Sequence, residues 1–87
     1  MGSTWEPFTD IDGKTIYKVL DQDSDVIYSK DREGIYRHRL EGPAYIGRNG
    51  SKSWWLNNKL HRLAGPAVEY YTGIKEYYIN GRVLSFK

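Results

Sequence analysis

The heptapeptide "HRLEGPA" occupies residues 38–44, and "HRLAGPA" occupies residues 61–67, 23 positions later in the chain. The two copies differ at one position only, where Glu41 stands against Ala64. A repeat with a period of this length is typical of proteins built from stacked supersecondary units, because one unit alone cannot bury its apolar face. The heptapeptide is therefore either a repeated chemical site or a repeated element of construction.

The similarity continues beyond the heptapeptide. Residues 38–60 align with residues 61–83 without a gap, with nine identical and five conservative positions. Each copy contains β-prone runs that are interrupted by turn residues, at Asn49-Gly50 and Asn57-Asn58 in the first copy and at Thr72-Gly73 and Asn80-Gly81 in the second. Asn-Gly favours a two-residue hairpin turn, whose central residues need positive φ. Each unit is therefore predicted to be a β-hairpin.

The N-terminal third is a more divergent version of the same pattern. Residues 16–20 and 26–28 read as strands around the acidic turn "DQDSD", and no segment shows a helical apolar period. The predicted fold is all-β, a single small domain formed by an antiparallel β-hairpin repeat meander. Its predicted parts are an N-terminal cap (1–12), a degenerate repeat (13–37), a repeat (38–60) and a terminal repeat (61–87).

The pattern HR-x-x-GPA, followed by an aromatic pair and Asn, resembles the variant MORN-type β-hairpin repeat of small phage and viral proteins. The resemblance covers residues 36–84 well and residues 13–35 weakly, and it departs where Asn58 replaces the Gly of the second copy. It implies an elongated hairpin stack that usually binds protein, and it does not imply an enzymatic activity. The landmarks are His38, Arg39, Gly42, Pro43 and Ala44, repeated as His61, Arg62, Gly65, Pro66 and Ala67.

The chemistry of the heptapeptide agrees with a role in construction. Gly-Pro sets a bend before a strand, and the Ala that follows allows close packing between neighbouring units. The His-Arg pair is expected to lay its planar groups across the aromatic pair of a neighbouring hairpin. An Arg over Trp or Tyr contributes about 0.5–2 kcal/mol through cation–π attraction.

The composition points to a binding surface. Residues 1–33 carry four Lys/Arg and eight Asp/Glu, whereas residues 34–87 carry nine Lys/Arg and three Asp/Glu. Eight Tyr, three Trp and two Phe are present, several as adjacent pairs, and in a strand each pair is expected to place one ring in the core and one outside. Trp, Tyr and Arg dominate protein-interface hot spots. The predicted contact residues are Trp54 or Trp55, Tyr70 or Tyr71, Tyr77 or Tyr78, Arg48 and Arg62.

Catalytic, metal and cofactor chemistry finds little support in the sequence. The chain has no Cys and only two His, one in each copy of the heptapeptide, and no spacing converges three ligands for zinc. In "DQDSD" the calcium-loop positions for Gly and Glu are occupied by Val26 and Arg32. Neither a nucleophile elbow nor a phosphate-binding loop is present. We expect no enzymatic activity, no cofactor and no metal.

The predicted function is that of a protein-binding module. Given the resemblance, we expect a phage-encoded stoichiometric inhibitor of a host protein, for instance of a defence system such as a CRISPR effector. No apolar run of about 18 residues or secretory signal is visible, which predicts a soluble protein of the host cytoplasm without membrane contact.

Three alternatives remain open at this point. Exposed strand edges favour a homodimer, and a structural phage subunit would assemble with itself. A single-stranded nucleic-acid binder would combine aromatic stacking platforms with a basic face. The residues available for such a face are Arg37, Arg39, Arg48, Lys52, Lys59, Arg62, Lys75 and Arg82.

Overall fold

The computed structural model describes residues 4–86 and contains strands joined by turns. Eight strands form one antiparallel sheet in chain order, with β6 and β7 forming a separate two-stranded ladder between β5 and β8. This confirms the all-β antiparallel meander. The strands are β1 (Glu6–Thr9), β2 (Thr15–Leu20), β3 (Val26–Ser29), β4 (Tyr45–Ile46), β5 (Lys52–Ser53), β6 (Trp55–Leu56), β7 (Lys59–Leu60), β8 (Val68–Glu69), β9 (Lys75–Ile79) and β10 (Arg82–Phe86).

The two-residue turns follow the sequence prediction. Asn57 and Asn58 have φ values of 51° and 66°, and Asn80 and Gly81 have values of 50° and 81°. Positive φ at both central residues is the signature of the type I′ turn, which matches the twist of a hairpin. Asn tolerates this left-handed region better than other side chains do. These turns join β6 to β7 and β9 to β10.

The turns at residues 47–51 and 70–74 have a different geometry from the predicted two-residue type. In each of these turns only the glycine is left-handed, Gly50 at φ 95° and Gly73 at φ 96°, and Asn49 instead accepts the backbone N–H of Ser51 on its side-chain oxygen at 2.9 Å. Gly50 N–H donates to the carbonyl of Gly47, and Gly47 N–H donates to the carbonyl of Ser51. The loop therefore has three residues, a type I turn followed by one left-handed residue. Residues 10–14 and 21–25 repeat the same pattern of hydrogen bonds.

Within each repeat, the heptapeptide is joined by a backbone hydrogen bond to the hairpin that follows it. Arg39 N–H donates to the carbonyl of Trp55 at 3.1 Å, and Arg62 N–H donates to the carbonyl of Tyr78 at 3.2 Å. The donor and acceptor are separated by the same number of residues in both copies. The repeat seen in the sequence is therefore also a repeat of hydrogen bonding.

The core is small and lies within a thin molecule. Ile16, Tyr28 and Ala44 form a buried cluster, against which the rings of Phe8 and Trp55 pack. The alanines that end the two heptapeptides, Ala44 and Ala67, have no exposed surface. A larger side chain at either position would have to displace the neighbouring strand, since packed interiors leave few voids.

The expectation that each aromatic pair buries one ring is wrong. At positions 54 and 55 and at positions 77 and 78 all four rings are half-buried, and Tyr70 and Tyr71 are both exposed. The physical reason is that each pair spans both faces of the sheet, and at these positions neither face is covered deeply enough to remove a ring from solvent.

The N-terminal third contains a strand that the sequence did not reveal. Within the expected cap, β1 pairs along its length with β2. Further on, the loop at 30–36 replaces the two-residue turn of the later units. It is organised around Asp31, whose carboxylate accepts the Ser29 hydroxyl and the backbone N–H groups of Ile35 and Tyr36. These hydrogen bonds, led by that of Ser29, hold the pKa of Asp31 well below its usual range.

Candidate binding groove

The register of the central strands places four side chains in one row across the sheet. Tyr45 of β4 lies opposite Ser53 of β5, Ser53 lies opposite Val68 of β8, and Val68 lies opposite Glu76 of β9. Residues that face each other in a ladder point to the same side of the sheet. The row therefore crosses a single face, with Val68 and Ser53 buried in its middle.

Aromatic side chains lie beside this row on the same face. Trp55, Tyr70 and Tyr78 each follow a member of the row by two positions, which is the period at which strand residues share a face. Together with Tyr45 they line an open cleft of about 320 Å³, with Val68 on its floor. We call this cleft the aromatic groove. Its other lining residues include Arg37, Ser51, Lys52, Ser53, Leu60 and Glu76.

One cation lies between two rings of the groove. The guanidinium carbon of Arg37 is 5.0 Å from the centre of the Trp55 ring and 5.2 Å from that of Tyr45. Both distances are within the range of cation–π attraction. Burial lowers the pKa of Arg37 from its ordinary value, although the group remains cationic at neutral pH. Arg37 therefore presents a partly desolvated positive charge to any ligand in the groove.

The polar atoms at the other end of the groove belong to tyrosines and a carboxylate. Tyr78 donates its hydroxyl hydrogen to the Glu76 carboxylate at 3.2 Å. Burial, followed by this hydrogen bond, raises the pKa of Tyr78, and burial together with the Glu76 charge raises the pKa of Tyr70. Both hydroxyls therefore remain protonated at neutral pH. The groove thus contains one positive and one negative end, joined by apolar ring surfaces.

The opposite face carries the contacts that build the repeat. The guanidinium of Arg62 stacks over the ring of Trp54 at 3.8 Å, and that of Arg39 stacks over Tyr28 at 4.0 Å. Stacking on an aromatic pair is therefore present in the second copy, whereas Arg39 of the first copy stacks on Tyr28, which is not part of a pair. Arg62 also forms an ion pair with Glu69 at 3.2 Å. Trp54 and Arg62, both predicted to contact a partner, therefore pack against each other within the protein.

The histidines have a different role from the stacking expected of them. Nδ1 of His38 accepts the backbone N–H of Asn57 at 3.0 Å, and Nδ1 of His61 accepts that of Asn80 at 3.1 Å. Each His thereby holds the first residue of the type I′ turn in the following hairpin. No group of three or more His, Cys, Asp or Glu residues suited to a metal ion occurs in residues 4–86.

The remaining predicted contact residues lie in separate places. Arg48 is at the tip of the 47–51 turn, in a different cleft beside Asp23 and Asp25. Tyr71 is 66% exposed and lies outside the groove, while Tyr70, which lines it, is 42% exposed. Alternation along β9 places Tyr77 on the face opposite Tyr78.

Three groove residues were missed by the sequence reasoning, namely Arg37, Tyr45 and Glu76. Arg37 appeared only in the nucleic-acid alternative, and neither Tyr45 nor Glu76 belongs to a motif that marks it in the sequence. The signal that identifies Tyr45 and Glu76 is the register of β4, β5, β8 and β9, which places them in one row. That register depends on the three-residue turns, because a shift by one residue would move each side chain to the other face.

Comparison of the chain with protein-family models, with curated proteins and with solved structures found no match. Among residues 4–86 there is no helix of the length and apolarity needed to cross a bilayer.

Proposed function

We propose that this chain is a non-enzymatic protein-binding module that contacts its partner through the aromatic groove. The observation that carries the proposal is the convergence of Tyr45, Trp55, Tyr70 and Tyr78 on one open face, with Arg37 beside the first two rings. Rigid aromatic rings and Arg supply most of the binding energy in protein interfaces. The resemblance to phage repeat proteins supports a host protein as the partner and stoichiometric inhibition, for instance of a defence system, as the outcome.

A protein partner is favoured over single-stranded nucleic acid by the charge in the groove. Glu76 lines it and accepts a hydrogen bond from Tyr78. A carboxylate beside the stacking rings would repel a phosphate backbone, whereas a protein partner offers cationic and amide groups that pair with it. We therefore expect binding that tolerates salt.

The experiment is affinity capture from host lysate with the tagged chain, after nuclease treatment and across a salt gradient. The matched variants are Tyr70→Ala and Tyr71→Ala, two neighbouring residues of the same type. Tyr71 is the more exposed but lies outside the groove. The proposal predicts that Tyr70→Ala loses the captured protein and that Tyr71→Ala retains it. Equal retention by both variants, or capture that disappears with nuclease, would contradict it.

A further inference from the structure

The two heptapeptide loops have the same conformation. In the first, Nη1 of Arg39 donates to the carbonyl of Pro43 at 3.2 Å, and in the second, Nη1 of Arg62 donates to that of Pro66 at 3.1 Å. The glycine of each loop lies under its own guanidinium, with an ideal Cβ position 3.4 Å from Nη1 in both copies. The backbone N–H groups of residues 63 and 64 therefore have the same orientation in the second loop as those of residues 40 and 41 have in the first.

In the first loop these two N–H groups bind a carboxylate. Leu40 N–H donates to one oxygen of Asp10 at 2.7 Å, and Glu41 N–H donates to the other at 3.0 Å. Asp10 also accepts the N–H of Ile11 at 2.9 Å, and only 3% of its surface is exposed. Successive backbone N–H groups that converge on one anion form a recognised type of anion-binding site.

In the second loop the equivalent position is open. Within the described residues, the N–H groups of Leu63 and Ala64 donate to no protein atom. A cleft of about 360 Å³ lies beside them, bordered by Leu40 and Glu41 of the first loop. Leu63 is 83% exposed, against 42% for Leu40. The second loop thus offers the carboxylate site of the first without an occupant from residues 4–86.

The segment that fills the first loop also supplies a ring. Phe8 precedes Asp10 by two positions, and its ring centre lies 5.1 Å from the guanidinium carbon of Arg39 and 5.0 Å from the centre of the Tyr28 ring. Arg39 therefore contacts two rings. Among the described residues the one ring that Arg62 stacks on is that of Trp54. Among residues 4–86, the second loop therefore has no counterpart of the Asp10 carboxylate or of the Phe8 ring.

We propose that the second loop is a docking site for an extended segment of a partner protein, with an aromatic residue two positions before an Asp or Glu. The carboxylate would accept the N–H groups of Leu63 and Ala64, and the ring would lie against Arg62. Arg39 and Arg62 line the cleft together with a single carboxylate, Glu41, so its lining charge is net positive and complements an acidic segment. The proposal rests on the protein-binding function and adds a second contact surface to the aromatic groove.

The first test is a titration followed through the backbone ¹⁵N–¹H spectrum of the full chain. The probe is the blocked peptide EPFTDI, which reproduces residues 6–11. We expect the N–H signals of Leu63 and Ala64 to move and those of Leu40 and Glu41, already bound to Asp10, to stay. Absence of movement at Leu63 and Ala64 would overturn the site, and so would movement confined to Leu40 and Glu41, which would mean that the peptide displaces β1 from the first loop instead.

Control ligands separate the parts of the recognition. Replacing the peptide Asp by Asn should weaken binding about tenfold or more, since hydrogen bonds to a charged acceptor are worth about 1.5–3 kcal/mol. Replacing its Phe by Ala should weaken binding less. Sodium acetate should move the same two signals only at much higher concentration. Equal affinity for acetate and peptide would overturn the peptide proposal in favour of a free-carboxylate site.

Variants of the loop complete the test. Ala64→Pro removes one of the two N–H donors, and the matched variant Ala64→Ser retains it. We expect Ala64→Pro to lose the peptide and Ala64→Ser to bind it, with unchanged spectra elsewhere showing that both are folded. Peptide binding that fails while Tyr70-dependent capture persists would overturn this site alone. Peptide binding that survives while capture proves independent of Tyr70 would overturn the groove alone.

Discussion

The two heptapeptide loops share their sequence, their internal hydrogen bonds and their stacked Arg, yet their surroundings differ. The first is closed by Asp10 and Phe8 from the N-terminal strand, whereas the second faces an open cleft. The difference shows that the repeated letters encode the shape of the loop, and that its accessibility depends on a segment distant in sequence. A repeated motif can therefore be structural in one copy and available for binding in the next.

The largest expected effect comes from opening the first loop. Asp10→Ala removes the carboxylate that binds Leu40 and Glu41, and we expect it to lower the free energy of unfolding by about 3 kcal/mol. Urea denaturation measures the change. Asp12→Ala, an exposed residue of the same turn, is the matched control and should cost no more than about 1 kcal/mol. A similar loss in both variants would mean that the carboxylate of Asp10 does not hold the loop.

The stacked arginines provide a direct comparison between the two copies. Arg39→Ala should lower the free energy of unfolding by about 2 kcal/mol, because it loses contact with two rings, and Arg62→Ala by about 1 kcal/mol, with one ring and a partly exposed ion pair. Thermal or urea unfolding of both variants tests the order. If Arg62→Ala lowers the free energy of unfolding as much as Arg39→Ala does, the contact of Arg39 with a second ring adds no stability.

The type I′ turns differ between copies only at their second residue. Gly81→Ala places a Cβ on a residue at φ 81° and should cost about 1 kcal/mol. Asn58→Gly, at φ 66°, relieves the left-handed conformation of a non-glycine residue but loses the side-chain acceptor of the Arg37 N–H at 3.3 Å, so it should alter stability by no more than about 0.5 kcal/mol. Urea denaturation of the two variants checks both values. If Gly81→Ala has the same free energy of unfolding as the parent chain, the left-handed conformation of residue 81 does not limit stability.

The smallest effect expected is a pH dependence of stability that arises from His38 of the first loop. Burial, followed by the charge of Lys30, lowers the pKa of His38, while Asp10 and Asp12 act in the opposite direction. The neutral ring accepts the Asn57 N–H, so its contribution is complete above the unfolded pKa of about 6.5 and is lost as the pH falls through the lower folded value.

The corresponding measurement is urea denaturation at several pH values between 7.5 and 5.5. Stability of the parent chain should decline over this range. His38→Asn retains an acceptor at the same position but cannot titrate, so its stability should be flat there. A decline of equal slope in both proteins would assign the pH dependence to another group.

Much of the fold was predictable from local chemistry. The Asn-rich turns, the alternation of the strands and the Ala and Arg of the heptapeptide all act between residues close in sequence or in adjacent hairpins. Strand β1 was not predictable, because its four residues include Pro7 and its stability depends on pairing with β2. The contact between Asp10 and Leu40 spans 30 positions and leaves no periodic trace.

The candidate groove was predictable only in part, for a related reason. Trp55, Tyr70 and Tyr78 were chosen by residue type, but their choice over Trp54, Tyr71 and Tyr77 depends on which face each strand residue takes. Three-residue turns set that register, and the sequence suggested two-residue turns at two of these positions. The half-burial of both rings at positions 54 and 55 reflects partial cover on both faces of the sheet there, which composition does not disclose.

The most direct test of the difference between the two loops is amide hydrogen exchange of the free chain, read residue by residue. Leu40 and Glu41 should be protected because Asp10 binds their N–H groups, whereas Leu63 and Ala64 should exchange at least about tenfold faster because theirs are open. Asp10→Asn should bring the first pair toward the second. Equal protection of the two pairs in the parent chain would contradict the account, since both loops would then be closed or both open.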